Sequence, residues 1–382
     1  MNRLASFFLI SLLLFSSCVK NSKDGEGRET DFSKLEFTKE VPLSYADQFK
    51  IERDGDYSLI TIENEGRYLL LAPGCNPKKV KNLPDDTIVI KRPIKNSYIV
   101  STSVMDFIFK ITASDSVRFS SVKEMDWKIP EAKEAMKNKE IIFAGKYSSP
   151  SYERLLSENC GLAIQNTMIY HKPQVKEKLE EIGIPVLVER STYEKNPLGK
   201  LEWIKLYGEL FGKEKEAEKF FKNEIKKIKP IISEKGEKPE KSIVFFYITT
   251  NGAVNVRKPG DYIANIIGLS GGKYALENIK PEEENALSTI NMQFEEFYTE
   301  ARDADIIVYN SNINSQVKSI ADLKKINPLF MDFKAVKEGK VYCTKKNFFQ
   351  ESTALAKFIS EFYKIQTEDE PNLSYLKKLE NE

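Results

Sequence analysis

The chain is predicted to be an α/β protein of two lobes joined by one long helix, a clamshell with a β-rich lead-in, on three observations. Short apolar runs alternate with helical patterns from about residue 85 to 190. An unbroken helical stretch follows. A second alternating series then begins near residue 242. The expected organisation is 1–17 signal peptide, 18–40 lipidated cysteine and flexible tether, 41–195 first α/β lobe, 196–235 connecting helices and 236–382 second α/β lobe.

Asn2 and Arg3 give a short basic start, and residues 4–17 carry no charge. That run is shorter than the roughly 20 residues needed to cross a bilayer core. It has the proportions of a signal-peptide core. Phe15-Ser16-Ser17-Cys18 has the form of a bacterial lipobox, in which the cysteine is diacylated and becomes the new N-terminus, although Leu is commoner at the position of Phe15. The competing reading is an ordinary secretory signal cut near Ser17. Residues 19–33 are polar, contain Gly25 and Gly27 and show no apolar period, as expected of a tether. The expected location is extracytoplasmic, with a lipid anchor to the membrane.

From 49 to 71 the pattern is β-rich, with runs at 57–62 and 68–71 around the turn-like Asn64-Glu65-Gly66. Residues 72–84 read as a Pro/Gly/Asn loop. Strands are expected at 87–90, 98–101, 140–144, 162–164 and 185–188. Helices are expected between them at 103–112, 130–137, 151–158 and 175–182. Residues 198–211 and 213–232 have helical periodicity with no strand between. In the second, Ala217, Phe220, Phe221, Ile225, Ile228 and Ile232 recur at steps of three and four, opposite Lys and Glu. The second series places strands at 242–249, 305–309 and 340–344, and helices at 261–267, 294–302, 319–325 and 352–365.

Composition excludes several functions. Lys+Arg number 58 against Asp+Glu 57, interspersed, with a formal net charge of +1, so the basic stripe of a nucleic-acid binder is missing. A single histidine, His171, argues against catalytic triads and histidine-rich metal sites. Cys75, Cys160 and Cys343 match no zinc spacing; one disulfide or three buried thiols are both open. Gly268-Leu-Ser-Gly-Gly272 fits G-x-S-x-G, but a helical pattern precedes it and His171 lies upstream, so it reads as a helix-ending loop. Glu282-Glu283-Glu284 lacks the spaced oxygen ligands of a cation loop.

The two lobes echo each other. Glu153 and Glu295 each open a helix that feeds an apolar strand about ten residues later. At these positions the chain resembles the substrate-binding lipoproteins of ferric-siderophore, haem and vitamin B12 ABC importers, the class III periplasmic binding proteins. The resemblance runs from about Ile88 to Ile365. It is carried by Gly145-Lys-Tyr-Ser-Ser-Pro-Ser-Tyr-Glu153, Thr167-Met-Ile-Tyr-His171, Val188-Glu-Arg-Ser-Thr-Tyr-Glu194, Asn196-Pro-Leu-Gly-Lys-Leu-Glu-Trp-Ile204 and Val341-Tyr-Cys-Thr344.

The resemblance implies a monomeric non-enzyme that captures a ferric siderophore, haem or cobalamin-type chelate between its lobes, as cargo and not as cofactor. Its implied partners are an ABC permease with its ATPase, reached through Glu153 and Glu295 docking to arginines. Where strand ends converge, ligand contacts are expected from Lys146, Tyr147, Met168, Tyr170, His171, Arg190 and Tyr193 of the first lobe. Tyr247, Arg257, Tyr262, Phe348 and Phe349 are expected from the second. Aromatic faces pack a macrocycle or catechol, and Arg and Lys neutralise a chelate's charge. His171 is also a candidate axial ligand to haem iron or cobalt. A lipid-anchored chelatase-like enzyme and a surface interaction lipoprotein remain the alternatives.

Overall fold

The computed structural model describes residues 27–233, 240–280, 288–313, 317–345, 349–369 and 372–382. Its lead-in is a five-stranded, largely antiparallel sheet with the spatial order Lys39–Glu40, Phe49–Asp54, Tyr57–Ile62, Gly66–Leu70 and Thr87–Ile90. The period-2 alternation sends Ile51, Ile60, Ile62, Tyr68 and Leu70 to one buried face, while Leu69 and Leu71 go to the other. Thr87–Ile90, expected as the first strand of the alternating α/β series, instead pairs in parallel with Gly66–Leu70 of the lead-in sheet.

Two further expectations are corrected nearby. Residues 72–84 are not all loop, because Cys75–Lys81 is a strand. The stretch read as tether is structured from residue 27 onward: Arg28–Asp31 is a strand paired in parallel with Cys75–Lys81. Both segments are polar, with a single buried residue each, so neither carries an apolar period that reveals it.

The first lobe is an all-parallel sheet in the order Ile142–Phe143, Val117–Ser120, Ser97–Ile99, Ala163–Asn166, Val186–Glu189. The second is a mixed sheet around Ser242–Ile248. That strand lies parallel to Ile306–Tyr309, which is parallel to Val341–Thr344. Val254–Arg257 and then Thr289–Met292 on one side, and Leu376–Lys378 on the other, add antiparallel strands. The chain is thus mixed α/β with the two-lobed architecture.

Between the lobes, the expected 198–211 helix breaks at Trp203 into Pro197–Glu202 and Ile204–Phe211. Trp203 is fully buried against Phe49 of the lead-in sheet (centroids 4.9 Å apart), and its Nε1 donates to Glu194 at 2.8 Å. The connecting helix Glu214–Ser233 buries Ala217, Phe221 and Ile228 and packs against Ile204–Phe211 and Leu355–Thr367.

Three buried carboxylates fasten the lead-in sheet to these helices. Glu202 accepts from the Ser44, Tyr45 and Ala46 amides at 2.8–3.0 Å and pairs with Lys205 at 2.9 Å. Glu194 accepts from Asp47 and Gln48, and Glu209 pairs with Arg53 and Ser58. A hydrogen bond to a charged group contributes about 1.5–3 kcal/mol. Glu202→Ala would leave three amides without their acceptor, while Lys205 would keep the Pro42 carbonyl at 2.9 Å and Glu218 at 3.4 Å. One continuous apolar core accordingly runs from the lead-in sheet through the helices into the second lobe.

Candidate functional site

Parallel strands deliver their carboxyl ends to one edge of a sheet, and ligands of open α/β sheets gather there. In the first lobe that edge is built by the turn Thr167–His171 after Ala163–Asn166 and the turn Ser191–Tyr193 after Val186–Glu189. Asn166 caps the first turn by accepting from the Met168 amide at 3.0 Å. Glu189 accepts from the Ser191 amide at 3.0 Å at the start of the second.

These turns bring three predicted residues together. Arg190 Nη1 donates to the Tyr170 hydroxyl at 2.9 Å, and the guanidinium lies 4.1 Å from the centre of the Tyr193 ring. Arg190 is buried, whereas the Tyr170 and Tyr193 rings are exposed, so the cation is held behind an aromatic surface. Among the described residues Arg190 Nε has no hydrogen-bond partner. The Tyr170 hydroxyl also donates to Glu65, from the hairpin of the lead-in sheet. Burial first, and then that carboxylate, push the Tyr170 phenol up to about 12.

The lobes meet over a hollow of about 130 Å³, lined on one side by Ser191, Thr192 and Glu194 and on the other by Arg257, Tyr262 and Phe349, with Lys200 between. Arg257 is a predicted residue whose charge is already matched. Asp261 takes both its Nε and Nη2 at 2.6 Å and also caps the helix Tyr262–Leu269 through the Ile263 amide. Lys200 was missed by sequence reasoning. Its ammonium lies 4.5 Å from the Tyr262 ring centre, with no carboxylate in ion-pair reach among the described residues. Burial lowers its pKa, while Glu189 and Asp261 oppose the fall. Its only sequence signal was a lysine in the short Pro197–Glu202 helix at the lobe junction.

Three polar contacts close the junction elsewhere. Thr353 N donates to Asp106 at 2.7 Å. Gln350 accepts from the Lys128 amide at 2.7 Å and donates to the Asp126 carbonyl at 3.0 Å. Two larger hollows, of about 630 and 640 Å³, flank the junction of the lead-in sheet with the connecting helix. They share no residue with the hollow between the lobes, and Arg53 in both is spent on Glu209.

The remaining predicted residues are less gathered. Lys146 is exposed on a small hairpin, and Tyr147 beside it packs on the first-lobe core. Met168 and His171 are exposed on the Tyr170 turn, and Tyr247 packs on the main core. None of these five joins the Tyr170–Arg190–Tyr193 contacts or lines the hollow among the described residues. Phe348, Cys18 and Glu282–Glu284 lie outside the described residues. Among those described, no three His, Cys, Asp or Glu side chains come together as a metal site. Cys75, Cys160 and Cys343 are three separate buried thiols. Gly271, at φ 83, turns the chain after the helix Tyr262–Leu269, as the G-x-S-x-G loop was expected to do. Glu153 and Glu295 are both exposed in the first turns of their helices.

Two α/β lobes on a helical junction, with aromatic and cationic side chains at the facing strand ends, define a bilobed solute-binding protein. Residues 99–348 match the sequence profile of the periplasmic binding protein family, and the chain belongs to that family. It is similar in fold to the periplasmic haem-binding protein HutB of Vibrio cholerae, with 18% identity, TM-score 0.56, and coverage of 72% of this chain and 99% of that one. It is likewise similar to the petrobactin-binding protein YclQ of Bacillus subtilis, with 15% identity, TM-score 0.57 and coverage of 72% and 93%. Among curated relatives are two uncharacterized lipoproteins of Methanocaldococcus jannaschii, each 24% identical. One alignment covers 71% of this chain and 64% of that protein's length, and the other covers 94% of both. The lead-in sheet precedes the family match.

Proposed function

We propose that the protein is the substrate-binding lipoprotein of an ABC importer, capturing a metal chelate between its lobes and delivering it to the permease. The observation that carries this reading is the meeting of facing strand-end turns over a hollow edged by Thr192, Tyr262 and Phe349, where the Lys200 ammonium has no carboxylate in ion-pair reach among the described residues. An enclosed charge without a partner is costly, and an anionic chelate would supply one. The solved structures of similar fold support the ligand class, since their names record haem and petrobactin.

The same reading makes Cys18 the lipid anchor and Glu153 and Glu295 the permease contacts. Two relatives named as lipoproteins support the first, and the matched exposure of the two glutamates supports the second. Isothermal titration calorimetry against a ferric tris-catecholate, a ferric trihydroxamate, haem, cobalamin, Zn²⁺ and an oligosaccharide tests the assignment. One of the first four is expected to bind tightest. A sugar or bare Zn²⁺ binding best would overturn it.

A further inference from the structure

The hairpin tip at Glu65 precedes the family match at 99–348, yet it reaches the strand-end turns of the first lobe. Asn64 at φ 60 and Gly66 at φ 112 reverse the chain between Tyr57–Ile62 and Gly66–Leu70. A β-carbon on residue 66 would stand 3.0 Å from the Asp86 carbonyl oxygen, so both space and φ select glycine there. The turn directs the Glu65 side chain inward, where it is only 4% exposed. Its two oxygens divide their work: Oε1 accepts the Tyr170 hydroxyl proton, and Oε2 lies 3.4 Å from Lys176 Nζ. Tyr170 in turn accepts from Arg190, which rests on Tyr193.

A phenol has one proton to donate. With that proton given to Glu65, the Tyr170 oxygen is left as an acceptor and is occupied by Arg190. The ring can then neither swing freely nor offer its proton to a ligand. We infer that Glu65 is a positioning residue of the ligand site, fixing the Tyr170 ring directly and the Arg190 guanidinium through the Tyr170 oxygen. The lead-in sheet thereby braces the strand-end turns of the first lobe from behind. The inference rests on the cleft reading above and adds a constraint to it. The wall those turns form offers a neutral aromatic face over a held cation, and no phenolate. A chelate bound at this wall therefore receives no metal ligand from Tyr170.

The test uses the full chain with Glu65→Ala, Glu65→Gln and Tyr170→Phe, and two readouts. In protein carrying ¹³Cζ-tyrosine, the Tyr170 signal, assigned by its loss in Tyr170→Phe, is titrated by NMR. Its midpoint is expected to fall in Glu65→Ala, where only burial is left to oppose Arg190. Affinity is then measured by fluorescence quenching for the ferric tris-catecholate, the ferric trihydroxamate and haem. For whichever binds wild type best, Glu65→Ala is expected to weaken binding about tenfold, the scale of one lost charge-assisted hydrogen bond. Glu65→Gln, which keeps an acceptor, is expected to recover most of the loss. Adding Glu65→Ala to Tyr170→Phe is expected to cost little more than Tyr170→Phe alone. An unchanged Tyr170 titration, or wild-type affinity with only a lowered melting temperature, would overturn the positioning role. Failure of all three chelates to bind wild type would count against the cargo assignment instead, and the Tyr170 titration would still decide the role of Glu65.

Discussion

The Asp106 carboxylate, on a helix of the first lobe, accepts the Thr353 backbone N–H of the second lobe at 2.7 Å, and both residues are buried. Burial pushes the Asp106 carboxyl up to about 6 from its ordinary 3.8, against the opposing hydrogen bonds from Thr353 and the smaller pull of Lys110. The lobes are therefore joined at a group that titrates near neutrality.

A folded-state value above the unfolded one means that this group's stabilisation is fully present below about pH 4 and is lost as pH rises through about 6. The rise from 3.8 to about 6 corresponds to about 3 kcal/mol. Asp106→Asn keeps an oxygen for Thr353 but removes the titration. It is expected to raise the melting temperature at pH 7, with the difference from wild type shrinking towards pH 4. Thermal unfolding of both proteins at pH 4, 5.5 and 7 checks this; parallel profiles would count against it.

Lys200 offers a test of cargo charge. Lys200→Met keeps the stem over Tyr262 and removes the ammonium. Binding of an anionic ferric tris-catecholate is expected to weaken about tenfold, and that of an uncharged trihydroxamate to change little. Equal losses for both would mean that Lys200 only packs.

Glu153→Ala with Glu295→Ala is expected to abolish most uptake in cells carrying the transporter while leaving ligand affinity intact. Truncating one partner of a buried interfacial charge pair costs about 2–5 kcal/mol. A carboxylate that only complements a helix dipole contributes about 0.3–1 kcal/mol, so normal uptake with a slightly lowered melting temperature would reduce both residues to that role.

Cys18→Ser is expected to abolish lipid attachment and leave the chain either unprocessed or released into the medium. Mass spectrometry of the N-terminus and fractionation read it out. A processed N-terminus on membrane-bound Cys18→Ser protein would place the anchor elsewhere.

Much of the fold was legible because its signals are local. Residues 57–70 alternate around an Asn-Glu-Gly turn, and the hairpin formed as expected. Ala217, Phe221 and Ile228 repeat at helical spacing and are buried in the connecting helix. Cys75–Lys81 was not legible, because Asn76, Pro77, Lys78 and Lys79 read as loop and only a distant partner, Arg28–Asp31, makes the segment a strand. The site divided in the same way. Tyr170, Arg190 and Tyr193 follow two neighbouring parallel strands, Ala163–Asn166 and Val186–Glu189, and their meeting could be anticipated. Glu65 is 105 residues from Tyr170, and Asp106 is 247 from Thr353. No pattern in a single sequence links groups so far apart.

The three thiols have a practical consequence. Cys75 sits beneath the outer face of the lead-in sheet, Cys160 in the first-lobe core and Cys343 in the large core that reaches the second lobe. Each apolar layer thus carries one native reporter, and burial suppresses the reactive thiolate, raising the pKa of Cys160 and Cys343. Alkylation of the native protein therefore proceeds through local opening. Mass-resolved labelling of the three sites would time how each layer breathes, with and without cargo, and no engineered probe is required.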